Sequence, residues 1–284
     1  MPLNVQALAL IILAMPITKS PRFSALLALL LIAPAPSIGA WMMFWSHRGE
    51  PLGSVAYMLG KVWLYGLPIL WLLLVDRQRF SLSKPVRGGF GIGALLGLLI
   101  SACIVATYLL YAKDRIDPAV IHGVVEENGL SVPWRYVAAC LWLATGNALL
   151  EEYVFRWFIY TRCEALLARY SPSLPGRGSG GGSSDTTSGG SPTHTPTLSL
   201  KGEGARPLLA VILAGVIFTV HHVIVLKAYF QWDITLLASA GILIGGCAWS
   251  ALYLRFRSIW LGYVSHVIVD VAVFLVGWEL IFGF

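Results

Sequence analysis

Three charged side chains in the middle of an apolar run are the residues of this sequence best suited to chemistry. Glu151, Glu152 and Arg156 lie within the apolar stretch 134–168. A charge at the centre of a bilayer-spanning helix costs ~2.5–3.5 kcal/mol even on a lenient insertion scale, so three together require a compensating interaction or a function. Glu152 and Arg156 are four residues apart, so on a helix they share a face and can neutralise each other. Glu151 has no partner at helical spacing, and we expect it to have a functional role.

Two later apolar runs contain further ionisable side chains that could meet Glu151. One contains His222, and the other contains His266 and Asp270, which share a helix face because they are four residues apart. A carboxylate and two imidazoles in a membrane cavity suit the activation of water and the stabilisation of an oxyanion. The sequence therefore favours hydrolysis inside the membrane.

The heights of these residues along their helices can be compared from the sequence. Glu151 lies about 27 Å of helix before Arg169, and His222 lies about 23 Å after Pro207, so the two heights match. His266 lies only about 12 Å after Ser258, which requires its helix to begin deeper in the membrane or to tilt.

The elements that must position these residues are transmembrane helices. The chain of 284 residues is 57% hydrophobic and only 12% charged, with a mean hydropathy of +0.74, whereas soluble domains contain about 25% charged residues. This composition predicts an all-α, polytopic membrane protein. The basic residues are not clustered on one surface, so no nucleic-acid partner is expected and the bilayer is the predicted environment. Apolar runs of spanning length give about eight helices, at 4–18, 23–45, 52–75, 88–112, 134–168, 207–226, 234–254 and 258–282.

The connections between these runs divide by charge and composition. The loops alternate between two sets, one with thirteen Lys or Arg residues in total and the other with five. Because loops rich in Lys and Arg stay on the cytoplasmic side, the set with thirteen is placed in the cytoplasm and both termini outside. Residues 113–133 are predicted to form an extramembrane cap or an amphipathic piece. Residues 171–206 are rich in Gly, Ser, Thr and Pro, and we expect them to be a disordered loop. We therefore divide the chain into N-terminal helices with the extramembrane loop, 1–133, and a catalytic core, 134–284.

Several other features have structural interpretations. Glycines spaced four residues apart predict close helix packing, and they occur at Gly89, Gly93 and Gly97 and again at Gly241 and Gly245. His221 points to a different face from His222 and is read as structural. Lys61 is expected either to extend towards the membrane surface or to pair with an acid, and it is assigned no function.

Other intramembrane chemistries lack their sequence patterns here. No His-Glu-x-x-His helix is present, which disfavours the common zinc protease pattern. The apolar runs also contain no Gly-x-Ser, and no Gly-Asp dipeptide occurs in a helix. These absences disfavour intramembrane serine and aspartyl proteases.

Three ordered motifs resemble those of a known family. Glu151-Glu152-x-x-x-Arg156, Phe218-x-x-x-His222 and His266-x-x-x-Asp270 resemble the motifs of the CAAX prenyl endopeptidase and bacteriocin-processing family of intramembrane glutamic endopeptidases. The resemblance covers roughly residues 134–275. It implies that Glu151 and His222 deprotonate the attacking water, that His266 and Asp270 support the oxyanion, and that Glu152 and Arg156 hold the geometry of the site. No cofactor or metal is implied.

Two residues depart from the pattern of that family. Asn is common in the family at the position of Asp270, and an ionised Asp270 would repel an oxyanion, so it would instead orient His266 or be protonated. Trp157 replaces the small glycine that commonly follows the arginine, and it would narrow the entrance for substrate.

The predicted function is hydrolysis of a peptide bond in a membrane-associated protein or peptide, such as a CAAX-like tail, a leader peptide or a C-terminal sorting tail. The expected location is the bacterial inner membrane. Two alternatives stay open at this point. One is a zinc-dependent protease in which Glu151, His222 and His266 hold the metal, and the other is a non-catalytic membrane scaffold that binds a partner.

Overall fold

The computed structural model describes residues 20–78, 83–168 and 206–283. Within these ranges the chain forms eight helices and no strand. They are α1 (Pro21–Ser46), α2 (Pro51–Leu74), α3 (Gly89–Ala112), α4 (Pro118–Glu127), α5 (residues 133–167), α6 (Pro207–Tyr229), α7 (Trp232–Phe256) and α8 (Trp260–Phe282). Six of them, all except α4 and α5, are long and apolar enough to cross a membrane. The predicted all-α, polytopic membrane fold is therefore confirmed.

The predicted count of about eight transmembrane helices stays a prediction. The first apolar run, 4–18, and nearly all of the predicted Gly/Ser-rich loop, 171–206, lie outside the described residues. The other predicted runs coincide with helices to within a few residues. The extramembrane piece predicted at 113–133 contains the ten-residue helix α4.

Proline and short polar residues determine where several helices begin. Proline occupies an early position of α1, α2, α4, α5 and α6, where its missing N–H would have no helical partner in any case. Before α4, the Asp117 carboxylate accepts a hydrogen bond of 2.9 Å from the backbone amide of Ala119. Within α1, a turn at Ala33 precedes Pro34, whose ring cannot fit into a regular helix interior.

The packing is apolar on the outside and partly polar at the centre. Leucines on the outer faces are widely exposed, among them Leu59, Leu95 and Leu236, each more than 60% exposed. The buried side chains, in contrast, include Glu151, Glu152, Arg156 and His266. Exposed apolar surface of this extent is stable when the solvent is lipid. The fold therefore encloses a charged cluster within a lipid-facing shell.

The central element is α5. Its residues Val154, Phe155, Phe158, Ile159 and Tyr160 are at most 1% exposed, and the helix packs against α1, α2, α6, α7 and α8. Helix α5 is not one of the six long apolar helices, and its middle contains the three charged side chains. These charges are therefore surrounded by protein on most sides.

Glycine allows α8 to approach its neighbours closely. A Cβ added at Gly97 of α3 would lie 2.9 Å from the Ser265 carbonyl oxygen, and one at Gly93 would collide with the backbone of Leu261. The close packing predicted for the glycine repeat at 89, 93 and 97 is thus confirmed, and it fixes the part of α8 that contains His266. The same prediction for Gly241 was wrong, because no atom lies within 4 Å of a Cβ added there.

The start of α8 explains the height of His266. Ser258 is 1% exposed, and its hydroxyl donates a hydrogen bond of 2.8 Å to the Lys84 carbonyl. The backbone amide of Ile259 donates to the Ser83 hydroxyl at 3.1 Å, so this amide at the buried start of the helix has a partner. Because the 83–88 segment covers this end, α8 can begin inside the protein. His266 then reaches the height of Glu151 after fewer residues than the other helices need.

Candidate active site

Wide π-helical turns interrupt α5 where the candidate site residues lie. They span Leu143–Asn147 and Glu152–Tyr160, and Glu151 lies between them. Such turns are rare, and they occur frequently at functional sites because they redirect side chains without ending the helix. Here they place Glu151 and Glu152 in different surroundings although the two residues are adjacent.

Glu151 lies among polar groups from three helices. Its side chain is 6% exposed, and its Oε1 accepts a hydrogen bond of 2.8 Å from the Asn147 amide. The Lys61 ammonium of α2 lies 3.6 Å from the same oxygen. Its other oxygen, Oε2, lies 3.8 Å from Nε2 of His266. Glu151 therefore has one oxygen held by partners and one oxygen directed at an imidazole.

Glu152 is sealed into the helix interface. It is 0% exposed, and its Oε1 lies 3.4 Å from Nε of Arg156 and 3.2 Å from Nδ1 of His266. Arg156 is also fully buried and donates a hydrogen bond of 3.1 Å to the Ser250 hydroxyl of α7. Its guanidinium lies 5.4 Å from the centroid of the Trp249 ring, within the range of a cation–π interaction. This ion pair links α5, α7 and α8.

His266 connects the two glutamates. Its Nδ1 faces Glu152, and its Nε2 lies 3.8 Å from Glu151 and 3.7 Å from Asp270. The imidazole stacks on the indole of Trp249 at a centroid distance of 4.3 Å and an interplanar angle of 20°. The ring therefore has a fixed plane, with three carboxyl groups near its two nitrogens.

The ring of His222 is oriented by its own helix. Its Nδ1 lies 2.7 Å from the backbone carbonyl oxygen of Phe218. A carbonyl oxygen only accepts hydrogen bonds, so Nδ1 carries the proton and the neutral ring presents Nε2 as an acceptor. The Phe218 ring lies 4.6 Å from that of His222 and 6.2 Å from that of His266, between centroids. His222 therefore lies beside the cluster formed by Glu151 and His266.

His221 and Trp157 have packed environments. His221 is 7% exposed and stacks on Phe155 at a centroid distance of 5.8 Å. Trp157 stacks on Tyr153 at 4.8 Å. The His221 imidazole is also near enough to Glu151 to act on it electrostatically.

Three polar residues near Glu151 were missed in the sequence. The sequence patterns assign no function to Lys61 and do not point to Tyr65 or Asn147, yet all three belong to one hydrogen-bond network at Glu151. The expectation that Glu151 has no partner at helical spacing was wrong, because Asn147 precedes it by four residues and donates to it. Lys61 and Tyr65 are likewise four residues apart in another apolar run. Sequence spacing reveals such pairs within a helix but not the contact between the helices.

No group of three His, Cys, Asp or Glu side chains arranged to hold a metal ion was found in the parts of the chain that the structure describes. The close contacts within the polar cluster join oppositely charged or hydrogen-bonding groups, such as Glu152 with Arg156 and Glu151 with Lys61. The polar cluster is thus organised as ion pairs and hydrogen bonds.

The fold and the site together define a class: a polytopic helical membrane protein with a buried carboxylate–imidazole site between its helices. The family model for type II CAAX prenyl endopeptidase Rce1-like proteins matches residues 133–272. This match confirms the predicted resemblance to the CAAX protease family for these residues. It supports a CAAX-type intramembrane endopeptidase, a protease that acts on membrane-associated substrate. Searches of curated proteins and of solved structures gave no match.

Proposed function

We propose that this protein hydrolyses a peptide bond in a membrane-associated protein or peptide by a metal-independent glutamic mechanism. The observation that carries the proposal is the position of His266, whose two nitrogens face Glu152 at 3.2 Å and Glu151 at 3.8 Å. A general base and a cationic hydrogen-bond donor are thereby adjacent in a largely buried site. Both groups promote the addition of water to an amide carbonyl.

Glu151 acts as the general base, together with His222. The water oxygen bonds to the scissile carbonyl carbon while its proton passes to Glu151, and the carbonyl electrons form an oxyanion. The neutral His222 presents Nε2 as an acceptor for the second hydrogen of that water. When the carbon–nitrogen bond breaks, the proton is returned to the leaving amine, so the site ends in its initial state.

His266 stabilises the oxyanion, and Asp270 assists it indirectly. A protonated His266 would donate from Nε2, the nitrogen that faces the site. The Asp270 carboxylate lies 3.7 Å from that nitrogen, four residues further along α8, where it favours the protonated ring. In this role Asp270 orients and charges His266 and does not itself bind the oxyanion. Glu152 and Arg156 hold the geometry.

The substrate class follows from the family and the position of the site. We propose a CAAX-like tail, a leader peptide or a C-terminal sorting tail, in the bacterial inner membrane, with 134–284 as the catalytic core. A substrate of this kind reaches a site at membrane depth without leaving the lipid phase.

The test is cleavage by purified protein in detergent. The candidates are a prenylated CAAX peptide, the same peptide without prenyl, and a membrane-anchored leader peptide, each tagged at both ends. Wild type is compared with Glu151→Gln and with Glu126→Gln, which makes the same change at an exposed glutamate of α4. The proposal expects cleavage by wild type and Glu126→Gln, loss in Glu151→Gln, and no effect of a strong chelator.

Other outcomes assign the site differently. Activity that disappears with chelator and returns with zinc would establish the zinc-dependent alternative. Equal cleavage by wild type and Glu151→Gln would contradict the assignment of the base. Normal function of Glu151→Gln in cells would favour the non-catalytic scaffold.

A further inference from the structure

Lys61 is an ammonium group in the middle of an apolar helix outside the region matched by the family. It follows Pro51, the first residue of α2, by about 15 Å of helix, which is half the thickness of a bilayer core. Its side chain is 18% exposed, and it is too deep to extend to either membrane surface. A lysine at this depth requires partners in the protein.

The hydrogen-bond partners of Lys61 belong to the network around Glu151. Its ammonium donates to the Asn147 side-chain oxygen at 3.0 Å and to the Tyr65 hydroxyl at 3.2 Å, and it lies 3.6 Å from Oε1 of Glu151. The Tyr65 hydroxyl also donates to the Asn147 oxygen, at 2.6 Å. The sequence predicted that Lys61 either extends towards the membrane surface or pairs with an acid, and in the structure it pairs with an acid.

The network also determines the orientation of the Asn147 amide. Two donors, Lys61 and Tyr65, address one end of it, so that end is the oxygen and the NH₂ group points to Oε1 of Glu151 at 2.8 Å. Oε1 is then held from two directions. Rotation of the carboxylate would break these contacts, so Oε2 remains on the side of His266.

With Asp270 ionised, as in the proposed function, the charges of the cluster balance only when Lys61 is counted. Three carboxyl groups, Glu151, Glu152 and Asp270, lie around His266. Arg156 and a protonated His266 provide two positive charges, and Lys61 provides the third. Without Lys61 the cluster would contain an uncompensated negative charge in a medium that solvates it poorly.

From these contacts we propose that Lys61, acting directly and through Asn147, is a positioning residue of the reaction that keeps Glu151 ionised with Oε2 directed at His266. This inference rests on the proposed function, in which Glu151 is the base. It makes α2, which lies outside the matched residues 133–272, a part of the active site.

Several ionisable groups act on Glu151, so the contribution of Lys61 has to be separated from theirs. His221 and His222 act on it electrostatically from α6 and His266 from α8, and Asp270 lies at the same His266 nitrogen that Glu151 faces. Glu152 is its neighbour on α5. Substitution of Lys61 alone leaves all of these groups in place.

The kinetic test compares Lys61→Gln and Lys61→Arg with wild type. Misplacement of a catalytic group by about 1 Å can cost about 10²-fold in rate, and we expect a loss of that order in kcat of Lys61→Gln with little change in KM. Because a neighbouring cation favours the ionised carboxylate, its removal moves the acid limb of the pH–activity profile to higher pH. Lys61→Arg retains the charge and should keep the limb in place. Lys113→Gln, which removes an ammonium paired with Glu279 at 2.5 Å at the helix ends, should behave as wild type. An unmoved limb in Lys61→Gln would overturn the proposal.

An infrared titration tests the same inference without any cleavage. The protonated carboxyl band that is lost in Glu151→Gln reports on Glu151 alone. In Lys61→Gln this band should persist to higher pH than in wild type, and in Lys113→Gln it should not. Identical titrations in Lys61→Gln and wild type would refute the role of Lys61, whether or not a substrate for the protein has been found.

A double variant covers the case in which Lys61→Gln does not fold. Removal of both charges, in Lys61→Gln/Glu151→Gln, leaves no uncompensated ion, so we expect it to be recovered folded and to melt at a higher temperature than Lys61→Gln. A double variant that is as unstable as the single one would contradict the pairing.

Discussion

Two adjacent carboxylates of α5 lie in opposite kinds of environment. On the Glu151 side, defined by Glu151, Lys61, Tyr65 and Asn147, the ionic distances are 3.6–3.8 Å and the lysine side chain is 18% exposed. On the Glu152 side, defined by Glu152, Arg156, Ser250 and Gly262, the carboxylate and the guanidinium are both 0% exposed.

This difference supports the separate roles that we propose for the two residues. A sealed, directly bonded ion pair contributes to packing, because any change leaves a buried charge without a partner. A carboxylate at ion-pair distance, with one oxygen free to face an imidazole, can exchange a proton. His266 contacts both sides, so the Glu152 side can fix the ring that the Glu151 side uses in the proposed reaction. The following variants test this division, from the largest expected effect to the smallest.

Removal of the carboxylate on the Glu151 side should have the largest effect on activity. Loss of a general base typically lowers the rate about 10²–10⁴-fold, and we expect a loss of this size in kcat/KM for Glu151→Gln. The thermal midpoint in detergent should change less than in variants of the Glu152 side. A larger loss of stability than of activity would reverse the comparison.

Disruption of the ion pair on the Glu152 side should act mainly on stability. Removal of one partner of a buried pair costs about 3–5 kcal/mol, so Arg156→Met should lower the free energy of unfolding by that amount. The matched control is Arg257→Met, which breaks the pair of Arg257 with Glu164, where the arginine side chain is 51% exposed. There the expected loss is about 0–1 kcal/mol. Equal losses in both variants, measured by denaturant titration in micelles, would show that the Glu152 side is not sealed.

A smaller perturbation addresses the contact that seals Glu152. A Cβ added at Gly262 of α8 would collide with Oε2 of Glu152. Overpacking of this kind costs about 1–3 kcal/mol, so Gly262→Ala should be destabilised by that amount and should displace His266. Gly241→Ala is the control, since a Cβ there meets no atom within 4 Å. It should be neutral or slightly stabilised, because alanine favours a helix more than glycine does. Equal stability of both variants would contradict the close approach of α8 to Glu152.

Sequence periodicity was sufficient to predict the helices but not their contacts. The apolar runs predicted all the long described helices, because every lipid-spanning segment has the same requirement for apolar length. The pair Glu152 and Arg156 could be predicted because its two members are on one helix. Lys61 could not be connected with Glu151, because their contact depends on how α2 packs against α5.

The height of His266 shows the same limit. Counting residues gave a mismatch with Glu151, and the structure resolves it through a buried start of α8 held by Ser83 and Lys84. The interactions involved join residues more than 170 positions apart, which no local pattern reveals. The failed prediction for Gly241 has a related cause, since a repeat of small residues shows where close packing is possible and not which helix occupies the space.

The smallest expected effect distinguishes the two roles open to Asp270. If Asp270 orients and charges His266 through the 3.7 Å contact, Asp270→Asn keeps an acceptor there but loses the negative charge. We expect a decrease in kcat of no more than about 10-fold, and a larger decrease in Asp270→Leu, which has no polar atom. If instead Asp270 binds the oxyanion as a protonated acid, Asn is an equally good donor that needs no proton, and Asp270→Asn should be more active than wild type above neutral pH. The ratio of the kcat of Asp270→Asn to that of wild type, measured across the pH range with Glu126→Gln as the unaffected reference, decides between these roles. It thereby shows whether the charge on the Glu151 side is set by Lys61 and His266 alone or also by Asp270.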